Sequence, residues 1–263
     1  MGVRSNIKLI FSYLKLNLKK EFNYKTSFFL QIVAMVLNDL FMIIQWTIIF
    51  KYIDSFAGYG FNETMLLISI SAGGFGVARV FFAGAWDIKD IVYNGKLDVF
   101  LTQPKNVLIN VCASRTQVDA IGDLIYTYIV LIIIHAQWWW FLIMPIVLVF
   151  SGLIYTASYV TYASLCFWIN KGDAVAKSVE GTINKAANYP PTIFNSVVKI
   201  LFFTLIPTFF YTFVPAQYFF LSFNPWWILG LVGVTALWVA IAFFVFNMGL
   251  KKYNSGNLMG GRL

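Results

Sequence analysis

The chain has 263 residues, of which 60% are hydrophobic and only 11% are charged, and its formal net charge is +8. A soluble domain carries about 25% charged residues, so this composition excludes an ordinary soluble protein and predicts an all-α membrane protein that crosses the bilayer several times. The basic residues lie in short segments between apolar runs. We therefore expect the lipid bilayer as a partner and no nucleic acid.

The first 25 residues predict an amphipathic helix that lies on the membrane surface. Lys8, Lys15 and Lys19 share one narrow face of this helix, and apolar residues cover much of the rest. A basic stripe on an otherwise apolar helix is typical of an interfacial helix. A basic segment that only sets orientation is the alternative.

Six spans are predicted in residues 26–250. They lie at Ser27–Phe50, Thr64–Ala85, Val107–Ile134, Trp139–Phe167, Thr192–Val214 and Trp226–Leu250. An even number of spans places both termini, including the tail 251–263, on one side of the membrane. That side collects nearly all basic residues outside the spans, among them Lys171 and Arg262, and the other side holds Lys51. Both termini are therefore predicted to be cytoplasmic, in the inner (cytoplasmic) membrane of a cell.

Polar groups inside the first three spans are candidates for a pathway or for structural pairing, namely Asp39, Arg79, Arg115, Asp119 and Asp123. Asp39 lies near the middle of span one, where a charge is costly and normally faces the bundle interior or a wet cavity. Arg79 in span two and Arg115 in span three are possible partners. Structural pairing and pathway lining both remain open for Asp39.

Span two contains three glycines, Gly73, Gly74 and Gly76. Small residues allow two helices to approach closely. We expect these glycines to pack against other helices, with a dimer or pathway face as the alternative.

A charged interruption at residues 86–105, here called the elbow, separates spans two and three. Ile88, Ile91 and Val92 would share one face of a first short helix, and Gly95 suits its end. Leu97, Phe100 and Leu101 would share a face of a second short helix. Such an element could dock on a soluble partner or form an ordinary interfacial loop.

Span three carries Arg115, Asp119 and Asp123 at spacings of four residues, which predicts one helix face with an Arg115–Asp119 ion pair. A pair of carboxylates at this spacing could also hold a metal in a membrane-embedded lipid-modifying enzyme. We favour an ion-paired row that faces other helices.

The region after span four is expected to contain a second cytoplasmic loop at 169–191 and, beyond span five, an outer re-entrant segment at 208–225. The second of these contains Pro207, Pro215 and Pro225, and prolines kink or break helices. A segment too short to cross must have its backbone satisfied by neighbouring protein.

Catalytic motifs are missing from the sequence. We find no GxxxxGK[ST] phosphate loop, no HExxH and no GxSxG, so we expect no catalytic, cofactor-binding or metal-binding residue in this chain.

Three segments carry a family resemblance. "NGKLDVFLTQPKN" (94–106), "EGTINKAANYPPTIF" (180–194) and "IPTFFYTFVPA" (206–216), in this order, resemble the permease subunits of type-2 ATP-binding-cassette (ABC) exporters, in the branch where a six-span permease is encoded apart from its ATPase. The resemblance implies a second permease subunit, identical or paralogous, an ABC ATPase dimer that carries ATP and Mg, and transport by alternating access.

The resemblance also implies that the elbow is a coupling helix, with an anchored apolar face and charges available to the ATPase. The coupling residues would be Asp87, Ile88, Lys89, Asp90, Ile91, Asn94, Gly95, Lys96, Leu97, Asp98, Phe100 and Leu101. The loop Lys171–Lys185 would flank the contact. A non-transporting membrane scaffold is a further alternative to the enzyme, and the cargo is not identified by these motifs.

Overall fold

The structure is a computed structural model that describes residues 3–169 and 172–253, without the side chains of Val3 and Asp173. Lys171, Arg262 and most of the tail 251–263 lie outside the described residues. The described part consists of helices joined by turns and loops, and it contains no β-strand. Thirteen helices follow one another in the order α1 (Val3–Phe22), α2 (Lys25–Ile49), α3 (Phe61–Phe82), α4 (Ile88–Tyr93), α5 (Leu97–Leu101), α6 (Val107–Ala113), α7 (Ile121–Ile133), α8 (Trp138–Ala163), α9 (Gly172–Ala186), α10 (Ser196–Thr204), α11 (Thr208–Tyr211), α12 (Phe213–Pro215) and α13 (Trp226–Leu250).

Helix starts follow local capping chemistry. Glu63 accepts a hydrogen bond from the backbone N–H of Gly60 (2.8 Å), at the start of α3. The side chains of Asn106 and Asn195 accept from the backbone three residues later, at the starts of α6 and α10. Each contact satisfies a backbone group that the first helical turn leaves without a partner.

Four helical stretches in the described residues are long and apolar enough to cross a membrane. They are Lys25–Ile49, Phe61–Tyr93, Trp138–Phe167 and Trp226–Leu250. A shorter apolar helix, Ile121–Ile133, lies among them. The chain is thus a helical, multi-pass membrane protein. The end of the helix bundle that holds the elbow is here called the elbow end. The opposite end, which holds residues 50–60, is called the far end.

The interior consists mainly of two apolar clusters. One fills the middle and far end, where α3, α7 and α8 meet, and includes the fully buried Met65, Leu131 and Tyr155. The other lies at the elbow end and joins the elbow to α6, α8 and α13, with Val111 and Phe246 at 0% exposure. The elbow is therefore built into the core of its end of the bundle.

Span three is not one helix. Residues 114–120 separate α6 from α7, and within this break the backbone N–H of Gln117 donates to the carbonyl of Arg79 (3.1 Å). The expected row of Arg115, Asp119 and Asp123 on one face is therefore wrong, because a helical repeat does not extend across the break.

Helix α9 runs between the two ends of the bundle, whereas the sequence predicted a loop at 169–191 on one side. Gly172 lies against the backbone of Cys166 at the elbow end of α8. Beyond the other end of α9, the Thr192 hydroxyl donates to the carbonyl of Ala57 (2.8 Å) in the far-end loop. In between, α9 packs on α8, and the Tyr155 hydroxyl donates to Asn184 (2.7 Å).

Residues 194–221 leave the far end and return to it. Tyr162, in the last turn of α8, donates to the carbonyl of Leu205 (2.6 Å). Phe220 then lies against Trp139 and Trp140, at the far-end start of α8. The range Thr192–Val214 is therefore not one continuous helix, and the chain reverses direction near Pro207.

The other two prolines lie at helix boundaries. Pro215 ends α12 and precedes a π-helical turn at Ala216–Leu221, and Pro225 precedes α13. Both positions fit residues that lack a backbone donor.

Candidate functional site at the elbow end

The elbow consists of two short helices anchored by their apolar residues. Ile88, Val92 and Leu97 are at most 1% exposed, and Ile91 is buried with them. Between the helices, Gly95 adopts a φ of +69°, a conformation that glycine reaches without steric cost. The apolar face predicted for the first helix thus faces the core.

The second elbow helix presents apolar side chains outward. Phe100 packs against the elbow-end cluster, but Val99 is 61% exposed and Leu101 is 45% exposed. The expectation that Leu101 belongs to the anchored face is wrong. The second elbow helix therefore exposes two apolar side chains as well as charged residues.

Two elbow charges have partners within the chain. Arg115 donates to Asp87 at 2.7 Å. Asp98 lies beside Tyr253, and burial together with this carboxylate raises the pKa of Tyr253 to about 12. Lys89 extends over the Tyr93 ring, with 5.9 Å between its Nζ and the ring centroid.

The other two predicted coupling charges, Asp90 and Lys96, are exposed, as is Asn94. Of the five predicted coupling charges, these two are the best placed to contact another protein.

A partly buried polar centre lies where the elbow begins. Glu180 on α9 accepts from Arg79 on α3 (2.7 Å) and from the Trp86 indole N–H (2.8 Å). The Arg79 guanidinium lies 3.8 Å from the centroid of the Trp86 ring, which is a cation–π contact. Trp86 in turn stacks on Tyr159 of α8, with 4.4 Å between ring centroids.

This centre joins four parts of the chain. Arg79 also donates to Gln117 (3.0 Å) in the break of span three, and Gln117 donates to Asp119 (3.0 Å). Arg79 therefore does not pair with Asp39, as one alternative supposed. Direct contacts of Glu180 with Arg79 and Trp86 therefore link the elbow to α3 and α9.

The backbone at Gly84, just before the elbow, packs closely against α6. A Cβ atom on Gly84 would lie 2.0 Å from the carbonyl oxygen of Val111. Only glycine allows the chain that enters the elbow to cross α6 at this distance.

Two carboxyl groups meet further inside the bundle. Asp39 on α2 and Asp123 on α7 are close neighbours and are 7% and 2% exposed. Asn38 donates to Asp39 at 3.5 Å. Asp39 therefore faces α7 rather than an arginine, and Asp119 and Asp123 have different surroundings.

Among the residues described, no three His, Cys, Asp or Glu side chains converge as a metal set. The Asp119 carboxylate instead accepts from Gln117 and from the backbone N–H of Ala120. No observation favours the lipid-modifying enzyme over the other interpretations.

The three glycines of α3 lie at contacts with neighbouring helices. A Cβ on Gly73 would lie 2.5 Å from the Thr127 hydroxyl, one on Gly74 would lie 2.9 Å from Ser151, and one on Gly76 would lie 3.0 Å from the carbonyl of Ala120. The three glycines therefore pack against other parts of the same chain, where α3 contacts α7 and α8.

Sequence reasoning missed Trp86 and Glu180. The signal that could have found Glu180 is the spacing of Ala176, Ile183 and Ala187, which gives residues 172–186 one apolar face. The polar residues in this segment hid that pattern, because hydropathy averages over all faces of a helix.

The chain matches one family model. A model described as ABC-2 family transporter protein matches residues 34–256, which include the whole elbow and all of the spans except the first residues of span one. No curated protein and no solved structure matches the chain.

Proposed function

The chain belongs to the ABC-2 transporter family, and from that membership we propose that it is the permease subunit of an ATP-driven exporter. Two permease subunits would form the translocation pathway, and a separate ABC ATPase dimer would bind ATP and Mg. The observation that carries the proposal is the elbow, an anchored element whose outer surface combines exposed charge with exposed apolar side chains.

The elbow surface fits a protein partner better than lipid. Asp90 and Lys96 are exposed, and so are the apolar residues Val99 and Leu101 of the same element. Charged residues around a small apolar contact are typical of a protein interface. A soluble ATPase that receives this surface would drive the elbow directly.

The proposed topology has six spans, with α9 as the fifth. The crossings are α2, α3, α6 with α7, α8, α9 and α13, and residues 194–221 form a re-entrant hairpin at the outer face. Both termini would lie in the cytoplasm with the elbow. The contacts of Gly172 at the elbow end and of Thr192 at the far end support the assignment of α9.

The centre formed by Arg79, Trp86 and Glu180 is the proposed route of coupling. When the ATPase dimer closes, the elbow moves, Trp86 moves with it, and Glu180 carries the displacement to α9. A helix that lines the pathway can then switch between inward-open and outward-open arrangements.

Charge reversal on the elbow tests this proposal. Asp90→Lys and Lys96→Glu are expected to reduce transport-linked ATP hydrolysis at least tenfold, because each brings like charges together at the interface. The measurement is ATPase activity of the co-purified complex in nanodiscs, with Lys51→Glu at the far end as the matched control. Unchanged activity and unchanged co-purification in both elbow variants would contradict the docking role.

A further inference from the structure

The contact between α2 and α7 holds two carboxyl groups far from either end of a helix that is long and apolar enough to cross a membrane. At 1.5 Å per residue, Asp39 lies about 15 Å from the nearer end of α2, Ile49. Asp123 of α7 is its close neighbour. A carboxylate at such a depth is costly and is normally paired.

The helices around the two carboxyl groups pack closely. A Cβ atom on Gly122 of α7 would lie 3.0 Å from the carbonyl oxygen of Ile32 and 2.7 Å from the Cβ of Met35, both on α2. On α3, a Cβ atom on Gly76 would lie 3.1 Å from the Cβ of Asp123. The pair is therefore enclosed by α2, α3 and α7.

Three buried oxygen atoms at this contact have no hydrogen-bond partner in the described part of the chain. They are Oδ2 of Asp39, Oδ2 of Asp123 and the hydroxyl of Tyr126. Tyr126 is 1% exposed, and it lies within electrostatic reach of both carboxylates. Because buried polar groups in folded proteins almost always have a partner, three such atoms at one contact point to a ligand that satisfies them together.

The residues around the pair supply too little positive charge to neutralise it. Among the residues that the structure describes, the cation that acts on Asp123 is Arg79, and Glu180 already accepts from Arg79 at 2.7 Å. Asp119 adds a further negative charge nearby, and Asn38, the polar contact of the other carboxyl group, is neutral. Two neighbouring carboxylates cannot both stay charged in a buried site without an added positive charge.

We propose that Asp39, Asp123 and Tyr126 form a binding site for one small monovalent cation, which holds α2 against α7. This single charge is supplied by a proton that the two carboxyl groups share or by an alkali-metal ion bound to the three oxygens. Carboxylate and hydroxyl oxygens suit hard cations, but Mg²⁺ and Ca²⁺ require about six or more oxygen ligands, more than this contact offers. The site lies apart from the elbow and needs no ATPase.

Proton binding makes the stability of the folded chain depend on pH. The native pair holds a proton that free carboxyl groups have lost at neutral pH, so stability falls as pH rises. With choline chloride as the salt, the melting temperature of the full-length chain in nanodiscs should be at least about 4 °C higher at about pH 6 than at about pH 9. The double variant Asp39→Asn with Asp123→Asn should lose most of this difference. The control Asp54→Asn, at an exposed far-end residue, should keep it.

Replacing the salt distinguishes a metal ion from a proton. At about pH 9, NaCl or KCl takes the place of choline chloride at equal ionic strength. A rise in the melting temperature of at least about 3 °C that the double variant lacks would assign the site to the alkali-metal ion. A rise produced by Mg²⁺ or Ca²⁺ alone would overturn the monovalent assignment.

Infrared spectroscopy gives a readout that does not depend on unfolding. At about pH 7, a shared proton gives the wild type the C=O band of a protonated carboxyl group, and Asp123→Asn should weaken this band. Absence of the band together with absence of an alkali-metal effect overturns the proposal, as does a pH difference that the double variant keeps in full. Neither measurement involves an ATPase, so the cation site and the export function can fail independently.

Discussion

Helices α2 and α9 differ in which of their residues face outward. On α2, the outward residues are apolar, including Leu37, Phe41 and Ile48, and the one buried carboxylate, Asp39, points toward α7. On α9, apolar residues such as Ala176 and Ile183 are buried. Among its exposed residues, Ser178, Thr182 and Lys185 lie on one side of the helix and are here called the α9 stripe, which is polar.

The difference shows what each helix faces. The outward side of α2 is suited to lipid, because burial of apolar area in hydrocarbon is favourable and polar groups are costly there. The outward side of α9 is suited to water or a polar molecule. The same bundle therefore has one outward surface that is apolar and one that is polar, a contrast that the proposed pathway requires.

The largest expected effect is on the free energy of unfolding, when the contact between Glu180 of α9 and Arg79 of α3 is removed. Glu180→Ala should lower the free energy of unfolding by about 2–3 kcal/mol, because it leaves the Arg79 guanidinium without its carboxylate. Thermal unfolding in nanodiscs measures this change. Glu180→Gln should cost less, since its amide oxygen still accepts from Trp86.

A double variant distinguishes loss of the Arg79–Glu180 ion pair from a nonspecific loss of stability caused by substitution at these positions. Arg79→Met with Glu180→Leu removes both charges and should recover part of the loss, as replacement of both members of a buried pair often does. Wild-type stability in Glu180→Ala would mean that the centre does not hold α9 in place.

The next largest effect concerns water access to the two outward faces. A cysteine at position 182 should react with a charged, water-soluble thiosulfonate at least tenfold faster than a cysteine at position 41, because the reactive thiolate forms in water. Both variants are made with Cys112 and Cys166 replaced by alanine, since these two are buried at 5% and 3% exposure. Equal rates would remove the contrast between α2 and α9 and, with it, the support for a pathway along the α9 stripe.

The smallest effect is expected at the inward side of α2. Asp39→Asn should change the free energy of unfolding by less than about 1 kcal/mol, because an amide donates to Asp123 in place of a carboxyl proton. Asp39→Leu leaves Asp123 buried without this partner and should cost more. Unfolding of both variants under the same conditions checks this, and a larger loss for Asn than for Leu would contradict the contact between the two carboxyls.

Several features were correctly predicted from the sequence. The helical, multi-pass membrane architecture follows from long apolar runs, and the buried face of the first elbow helix follows from the spacing of Ile88, Ile91 and Val92. The family match agrees with the resemblance of the elbow and the proline-rich segments. These features depend on composition and local periodicity.

Other features were wrong because they depend on contacts between distant segments. Arg115 is adjacent to Asp119 on an ideal helix, but the break at 114–120 turns it to Asp87. The range 169–191 was expected to be a loop because its polar residues lower its hydropathy. In the structure its polar face is outward and its apolar face covers α8.

The sequence by itself determined which segments enter the membrane as apolar helices, where the elbow interrupts them and which family the chain resembles, since each follows from local composition and spacing. Only the tertiary structure decided that Glu180 holds Arg79 and Trp86, that Asp39 faces Asp123 and that α9 runs between the two ends of the bundle. The physical reason is that a buried polar group is stable only beside a partner, and the partners here lie 84, 94 or 101 residues away along the chain.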